Sequence, residues 1–305
     1  MLIYSLKRFG VAILVTFAVS VITFVLLHAS GDPAMAMAGE GATQEDIEYV
    51  REHFGFNRPM LVQYMDWFVR ALQGDFGISI YLKIPVAEVI AAKAPITAIL
   101  GASALTFALL ISIPLGVLAA MKPNTIFDRI ALTIAVIGQA MPTFWFALLM
   151  MIFFGITLRI LPVSGNTTWQ HFVMPSIALG YYAMPAIMRL TRAGMIEVLS
   201  SDYIRTARAK GLRPRTVLFK HALRNAIIPV VSLSAVQLGF MLGGSIIIET
   251  IFSLKGLGNL AWQSIQRSDF DVMQALVLSI AMFYILLTYL ADLLNAFLDP
   301  RIRVS

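Results

Sequence analysis

An all-α, polytopic membrane protein with six transmembrane helices and both termini in the cytoplasm is the fold class this sequence predicts. Composition comes first: of 305 residues, 59% are hydrophobic and 13% charged, with a mean hydropathy of +0.81, which excludes a water-soluble domain. Segmentation comes second, because the chain contains six uncharged stretches of 17 to 29 residues, and about 20 apolar residues cross a hydrocarbon core of about 30 Å. The third is charge placement. Lys and Arg cluster in alternate connecting segments, as the positive-inside rule requires.

The predicted spans run from Phe9 to Leu27, Pro95 to Met121, Ile130 to Leu158, Phe172 to Met188, Ala226 to Ile248 and Val272 to Ala291. Inside lipid every backbone amide needs an internal partner, so these are helices, and Pro114, Pro142, Pro185 and Pro229 are expected kinks. A barrel would alternate in hydropathy instead. Span four is the shortest and extends past Arg189 if that side chain snorkels. Lys7, Arg8 and the Ala34/Ala36 pattern raise the alternative of a cleaved signal peptide, but the apolar run of 19 residues exceeds the usual core of about 7 to 15. With no cysteine, disulfide scaffolds and thiolate metal sites are excluded.

Of 23 Lys and Arg residues, 15 fall in segments 1–8, 122–129, 189–225 and 299–305, which places both termini in the cytoplasm. Only Arg159, Lys255 and Arg267 lie in the short loops of the opposite face. The other five (Arg51, Arg58, Arg70, Lys83, Lys93) sit with nine acidic residues in a long segment between the first two spans. Three regions result: residues 1–30, an extracytoplasmic insert at 31–94, and a core of five spans at 95–305. The insert has amphipathic pieces at 45–54 and 61–72, bounded by turn signals at residues 55–59 and 74–77. It reads either as a loop on the membrane surface or as a small cap that receives a ligand or a delivery protein.

The cytoplasmic segment 192–228 reads RAGMIEVLSSDYIRTARAKGLRPRTVLFKHALRNAII. Ser200, Ser201 and Asp202 offer N-cap oxygens, Tyr203 to Lys210 make about two helical turns, and Gly211 supplies a left-handed terminator. A return helix starts with Pro214 in its first turn. The result is a projecting knob. Ala207 and Ala209 keep it slim, and Arg205, Arg208, Lys210, Arg213 and Arg215 ring it with positive charge. On charge alone this is an ordinary cytoplasmic loop, solvated or facing anionic headgroups. Nucleic acid is not an expected partner, because no aromatic platform is interleaved with the basic residues.

These residues carry a resemblance. DYIRTARAKGL followed by KHALRNAIIPVV resembles the cytoplasmic coupling loop of the permease subunits of bacterial ABC importers, in the dipeptide/oligopeptide/nickel branch. The general signature begins Glu-Ala-Ala with glycine six residues after the Glu; here Arg205, Thr206 and Ala207 hold those positions before Gly211. Pro229 follows Gly211 by 18 residues, further than in the general signature, and both departures are usual in the peptide branch. The resemblance spans the chain: SGDPA at 30–34, FGFNRPMLVQYMDW, LQGDFGISI and IPVAEVI in or next to the insert, LPVSG at 161–165, MPSIALG at 174–180, ETIFSLKGLGNL after span five, and DLLNAFLDPRIR at the end.

The resemblance implies a type I ABC importer permease fold in a bacterial inner membrane. By it, Asp202, Tyr203, Ile204, Arg205, Thr206, Ala207, Arg208, Ala209, Lys210 and Gly211 form the coupling helix that docks in a groove of a nucleotide-binding subunit. It also implies the partners: a homologous permease in a heterodimer, two cytoplasmic ATPase subunits, and an extracytoplasmic binding protein. ATP and Mg are expected on partner subunits and no cofactor on this chain, which has no G-x4-G-K-[ST] and no Lys directly after Gly. The implied cargo is a di- or oligopeptide, with nickel or a metal chelate as the runner-up. A self-contained channel or secondary transporter is the competitor from another class.

No catalytic constellation is expected. His28, His53, His171 and His221 are isolated, Gly256-Leu257-Gly258 is a turn without a βαβ setting, and Gly-x-Ser-x-Gly does not occur. Within the spans Gln139, Gln237 and Glu249 are candidate pathway-lining residues. For the glutamines, as for Ser232 and Ser234, interhelical hydrogen bonding competes with that role. A carboxylate at the depth of Glu249 is expected to face a partner or water.

Overall fold

The structure, a computed structural model, describes residues 2–39 and 41–298; Arg301 and Arg303, counted above, lie outside the described residues. Helix α1 (Leu2–Ser30) leads to α2 (Pro33–Ala38), α3 (Gln44–His53) and α4 (Met60–Leu72) of the insert, then to the 36-residue α5 (Val86–Met121). Next come α6 (Ile126–Ala140), α7 (Thr143–Met150) with its π-helical continuation Met151–Thr157, α8 (Gln170–Gly180), α9 (Met184–Leu199) and α10 (Asp202–Ala209). The return segment is α11 (Pro214–Thr216), a π stretch Val217–Leu223 and α12 (Arg224–Ala226), followed by α13 (Ile228–Ile251), α14 (Leu257–Gln266) and α15 (Phe270–Leu298).

Four of the predicted spans are single helices long and apolar enough to cross a membrane: Leu6–Ala29, Val86–Met121, Ile228–Ile251 and Phe270–Leu294. The third and fourth differ from the expectation of one helix each. Met141 is extended (φ −87, ψ 130) because the ring of Pro142 disfavours helical backbone in the residue before it, so span three divides into α6 and α7. Span four divides at the turn Tyr181–Ala183, with Pro185 in the first turn of α9. The two breaks meet, since the Tyr181 hydroxyl donates to the Met141 carbonyl that the first break leaves free. Pro229 likewise opens α13, so of the four expected kink sites Pro114 alone lies inside a helix, where Pro95 and Pro175 also stand.

The core joins α5, α7, α8, α9 and α13 through Leu100, Ala104, Met150, Met174, Ile187, Met241 and Ile248. Small residues set the spacing: a Cβ on Gly180 would lie 2.4 Å from the Ala104 carbonyl oxygen, and one on Gly116 would lie 2.8 Å from that of Met188. Helices α1 and α15 run antiparallel, with Arg8 and Asp292 3.1 Å apart at one end and Phe24 against Leu278 toward the other. The start of α1 and the end of α15 therefore lie at the end of the bundle where α10 packs against the end of α5. The insert occupies the opposite end.

The insert is folded and seated on the helix ends. Thr43 and Asp46 form a reciprocal capping box at α3, and Arg51 reaches both Asp32 and Glu48 at 2.5 Å. Tyr64 and Trp67 of α4 are buried against Phe24 and Leu278, the Tyr64 hydroxyl is 2.8 Å from Ser20 Oγ, and Ser79 Oγ donates to Asp269 Oδ2 at 2.6 Å.

Candidate functional site

The knob forms where its sequence signals place it, with one change in chemistry. Ser201 is the N-cap residue by backbone geometry (φ −71, ψ 153), yet its hydroxyl turns back to donate to Val198 O at 2.6 Å, and Ser200 does the same to Glu197 O at 2.7 Å. Neither serine caps α10. Asp202 instead places a carboxylate in the first turn, where the helix dipole favours it. At the other end Gly211 has φ +74 and donates to Arg208 O at 2.9 Å, while Leu212 N reaches Ala207 O at 3.4 Å. This double closure is the Schellman arrangement that a left-handed glycine permits.

Two side chains anchor the eight-residue helix. Ile204 is fully buried and Ala207 is 8% exposed, one turn apart on the same face. They pack into a cluster of Val117 and Ala120 from the end of α5, Met195 from α9, and Val217, Ala222 and Ala226 from the return segment. Ala207 is thus small because it faces the chain's own core, not because it presents a slim outer surface. Ala209 is exposed. The knob is gripped at once by the segments that continue into spans two, four and five. A Cβ on Gly194 would lie 2.9 Å from the Ala226 carbonyl oxygen, so α9 and α12 approach to backbone contact.

A second grip was not legible in the sequence. Arg192 of α9 donates from Nε and Nη2 to the two carboxylate oxygens of Asp128, each at 2.6 Å, and Asn124 N donates to the same carboxylate at 2.9 Å. The Asp128 side chain is 3% exposed and that of Arg192 22%. This planar, bidentate pair ties the start of α6 to α9. The Arg192 guanidinium, followed by the Asn124 amide, holds the Asp128 carboxyl below the usual carboxylate range. The partners lie 64 residues apart, and no spacing rule links them.

The outer face remains free for contact. Arg205, Thr206, Arg208, Ala209 and Lys210 are exposed, as are Leu212, Arg213 and Arg215. Tyr203 is exposed and its hydroxyl accepts from Asn225 Nδ2 at 2.8 Å; Phe219 of the return segment is 59% exposed. Arg205 and Asp202 approach to 3.3 Å, but both side chains are almost fully solvated, so the pair contributes little. Aromatic and arginine side chains around a small helix give the composition of a protein contact surface.

The span residues go to different neighbours. Gln139 is exposed on α6 and accepts from Arg189 Nη2 at 3.3 Å, while Gln237 is half-buried on α13. Glu249 is fully buried. Its Oε1 accepts from Thr97 Oγ1 at 2.7 Å and its Oε2 from Asn259 N at 2.9 Å, and Leu257 N donates to Thr97 Oγ1 at 2.7 Å. The carboxylate of α13 therefore caps the N-terminus of α14 and binds it to α5. The close turn requires Gly256, where a Cβ would lie 2.6 Å from Glu249 Oε2.

Comparison with known proteins agrees with this architecture. Residues 112–304 match the model of the binding-protein-dependent transport system inner membrane component family, and residues 1–101 match the model of that system's membrane component N-terminal region. The chain is 40% identical over 304 residues to the glutathione transport system permease protein GsiC of Escherichia coli strain K12, covering 99% of each chain. The same identity and coverage hold for GsiC of Shigella dysenteriae serotype 1 strain Sd197. Among solved structures, inward-facing forms of the MetNI methionine ABC transporter align over 69% of this chain and 96% of theirs. The TM-scores are 0.57 and 0.59 at 19% identity, a likeness of fold.

Proposed function

Since this chain belongs to the binding-protein-dependent transport system inner membrane component family, and is a multi-pass inner-membrane permease component of an ABC importer, we propose that it forms half of a translocation pathway for short peptides, driven through the knob at 202–211. The other half is a homologous permease. Two separate ATPase subunits dock on the knobs, and an extracytoplasmic binding protein delivers cargo to the insert side. The placement of 15 of the 23 basic residues supports an orientation with the knob and both termini in the cytoplasm.

The observation that carries this reading is the mounting of α10. A short helix transmits force only if it cannot rock on its base. Ile204 and Ala207 seat it on α5, α9 and the return segment, Gly194 brings α9 against α12, and Asp128–Arg192 adds α6. Movement of the knob by an approaching ATPase pair therefore displaces four membrane segments as one body. A packed assembly switches between discrete arrangements rather than deforming smoothly, and this is what alternating access requires.

Peptide cargo is supported by the relatives named as glutathione permeases, glutathione being a tripeptide. Gln139 and Gln237 are the proposed polar lining of the pathway. Glu249 serves that pathway by holding α14 in place.

Purification in mild detergent tests the assembly. The expected result is a complex containing ATPase subunits, in which Gly211→Pro abolishes transport while the permease pair still assembles. A chain that purifies without any nucleotide-binding subunit, or Gly211→Pro protein that transports normally, would refute the proposal.

A further inference from the structure

Helix α4 of the insert has two apolar sides. Tyr64 and Trp67, one turn apart, are buried against Phe24 of α1 and Leu278 of α15. Leu61, Met65, Val69 and Leu72 follow one another at helical spacing on a second side, where they are 67%, 47%, 52% and 72% exposed. Gln63, Asp66 and Arg70 make up the polar side between the two. That polar side turns toward the rest of the insert, since Asp66 pairs with Arg58 at 2.6 Å and Gln63 Nε2 donates to Arg58 O at 2.8 Å. The exposed apolar row calls for a cover, because contiguous apolar surface of this kind marks a contact site.

The depth of α4 says what covers it. The Tyr64 hydroxyl is 2.8 Å from Ser20 Oγ, and the Phe68 ring meets that of Phe17 edge-on at 5.8 Å. Ser20 lies nine residues inside the Ala29 end of its span, and Leu278 lies eight residues inside the Phe270 end of its own. At about 1.5 Å per residue, both helices place the contact about 12 to 14 Å below their insert-side ends. These spans of 24 and 25 residues overhang a hydrocarbon core of about 30 Å by only about 3 Å at each end, so that level is inside the hydrocarbon. Phe17 is itself 43% exposed, among apolar side chains of α1 that lipid must cover. The row on α4 thus continues a lipid-facing surface.

We infer that α4 is embedded in the insert-side leaflet, with Leu61, Met65, Val69 and Leu72 against lipid acyl chains and Gln63, Asp66 and Arg70 toward the headgroups and water. This is the mode of an amphipathic helix lying in the membrane plane. The insert therefore carries its own membrane anchor, which fixes the height of its polar surface above the spans, and this side of α1 belongs to the lipid-facing periphery of the assembly. The inference rests on α1 and α15 spanning the membrane, and not on the cargo or the orientation proposed above.

Phosphatidylcholine carrying a diazirine midway along one acyl chain tests this on the wild-type complex in nanodiscs. Lipid adducts are expected on the outward row of α4 as well as on exposed residues of α1 such as Leu14 and Leu26. The chain has no cysteine, so single substitutions give unique thiols on it. A thiol reacts as its thiolate, which hydrocarbon suppresses, so a water-soluble maleimide should modify Leu61→Cys, Met65→Cys and Val69→Cys at least about tenfold more slowly than Asp66→Cys or Gln73→Cys. Rates at the three row positions equal to that at Asp66→Cys would overturn the inference. So would a wild-type complex in which the lipid probe labels α1 but nothing within residues 60–72, a result that needs no variant to fold. Slow thiols on the row combined with crosslinks to another subunit in place of lipid would assign this face to a protein partner and equally refute it.

Discussion

Replacing Ile204 with alanine tests the proposed coupling at its base. Helix α10 has eight residues, well short of the roughly 12 to 15 that an isolated helix needs, so its order depends on the cluster beneath it. Ile204 is the larger of its two buried side chains. Ile204→Ala removes three carbon atoms at about 0.8 kcal/mol each, about 2.4 kcal/mol before any cavity term. If that loss falls on local opening of the knob, the opening equilibrium rises by roughly 60-fold. Amide hydrogen exchange on the purified permease pair should show residues 205–211 exchanging faster by about that factor, with the middle of α5 and α13 unchanged. Ile204→Val removes one carbon and should give about fourfold. In proteoliposomes with the ATPase subunits, cargo moved per ATP hydrolysed should fall in the same order. Unchanged exchange in Ile204→Ala would refute the anchoring argument, and faster exchange with undiminished transport per ATP would refute the coupling argument.

Gly211 has open space where a Cβ would stand but a left-handed backbone, so strain alone decides substitutions there; Gly211→Ala should loosen the end of α10 by about 1 to 2 kcal/mol and Gly211→Asn by less, read by the same exchange measurement. Asp128→Asn should cost about 2 to 3 kcal/mol, measured by thermal denaturation in detergent, and Arg192→Lys should not restore the bidentate geometry. The folded-state pKa of Asp128 lies below its unfolded value, so the pair's contribution is fully present above the ordinary carboxylate pKa of about 3.9 and is lost as pH falls through the lower folded value. The gap between wild type and Asp128→Asn should accordingly hold steady from neutral pH to about pH 4 and narrow below it; a gap that widens there would contradict the assignment. Thr97→Val removes the acceptor of Leu257 N and one donor to Glu249, with an expected loss of about 1 to 3 kcal/mol in thermal stability.

The helical class, the position of the knob and the turn at Gly211 were readable because each rests on local rules: apolar run length, a left-handed terminator, a proline in a first turn. The same rules erred where local signals had two outcomes. Pro142 and Pro185 are expected as kinks, yet proline also suits a helix break or a first turn, and the hydrogen bond from Tyr181 to Met141 that lets both breaks coexist joins residues 40 apart. Ser201 sits at the N-cap position while its hydroxyl prefers a carbonyl three residues back.

From its order of residues alone the protein is a multi-pass helical membrane protein with a basic knob between its fourth and fifth spans, because hydropathy, charge asymmetry and capping act within a few residues along the chain. Which face of the knob is buried was decided only by folding. Ala207, which as a sequence feature suggests a slim exterior, lies against Val117, Met195 and Ala222, contributed by three distant segments. The Asp128–Arg192 grip and the bond from Thr97 to Glu249 at the start of α14 belong to the same class. Each joins separate helices and is fixed by how those helices pack.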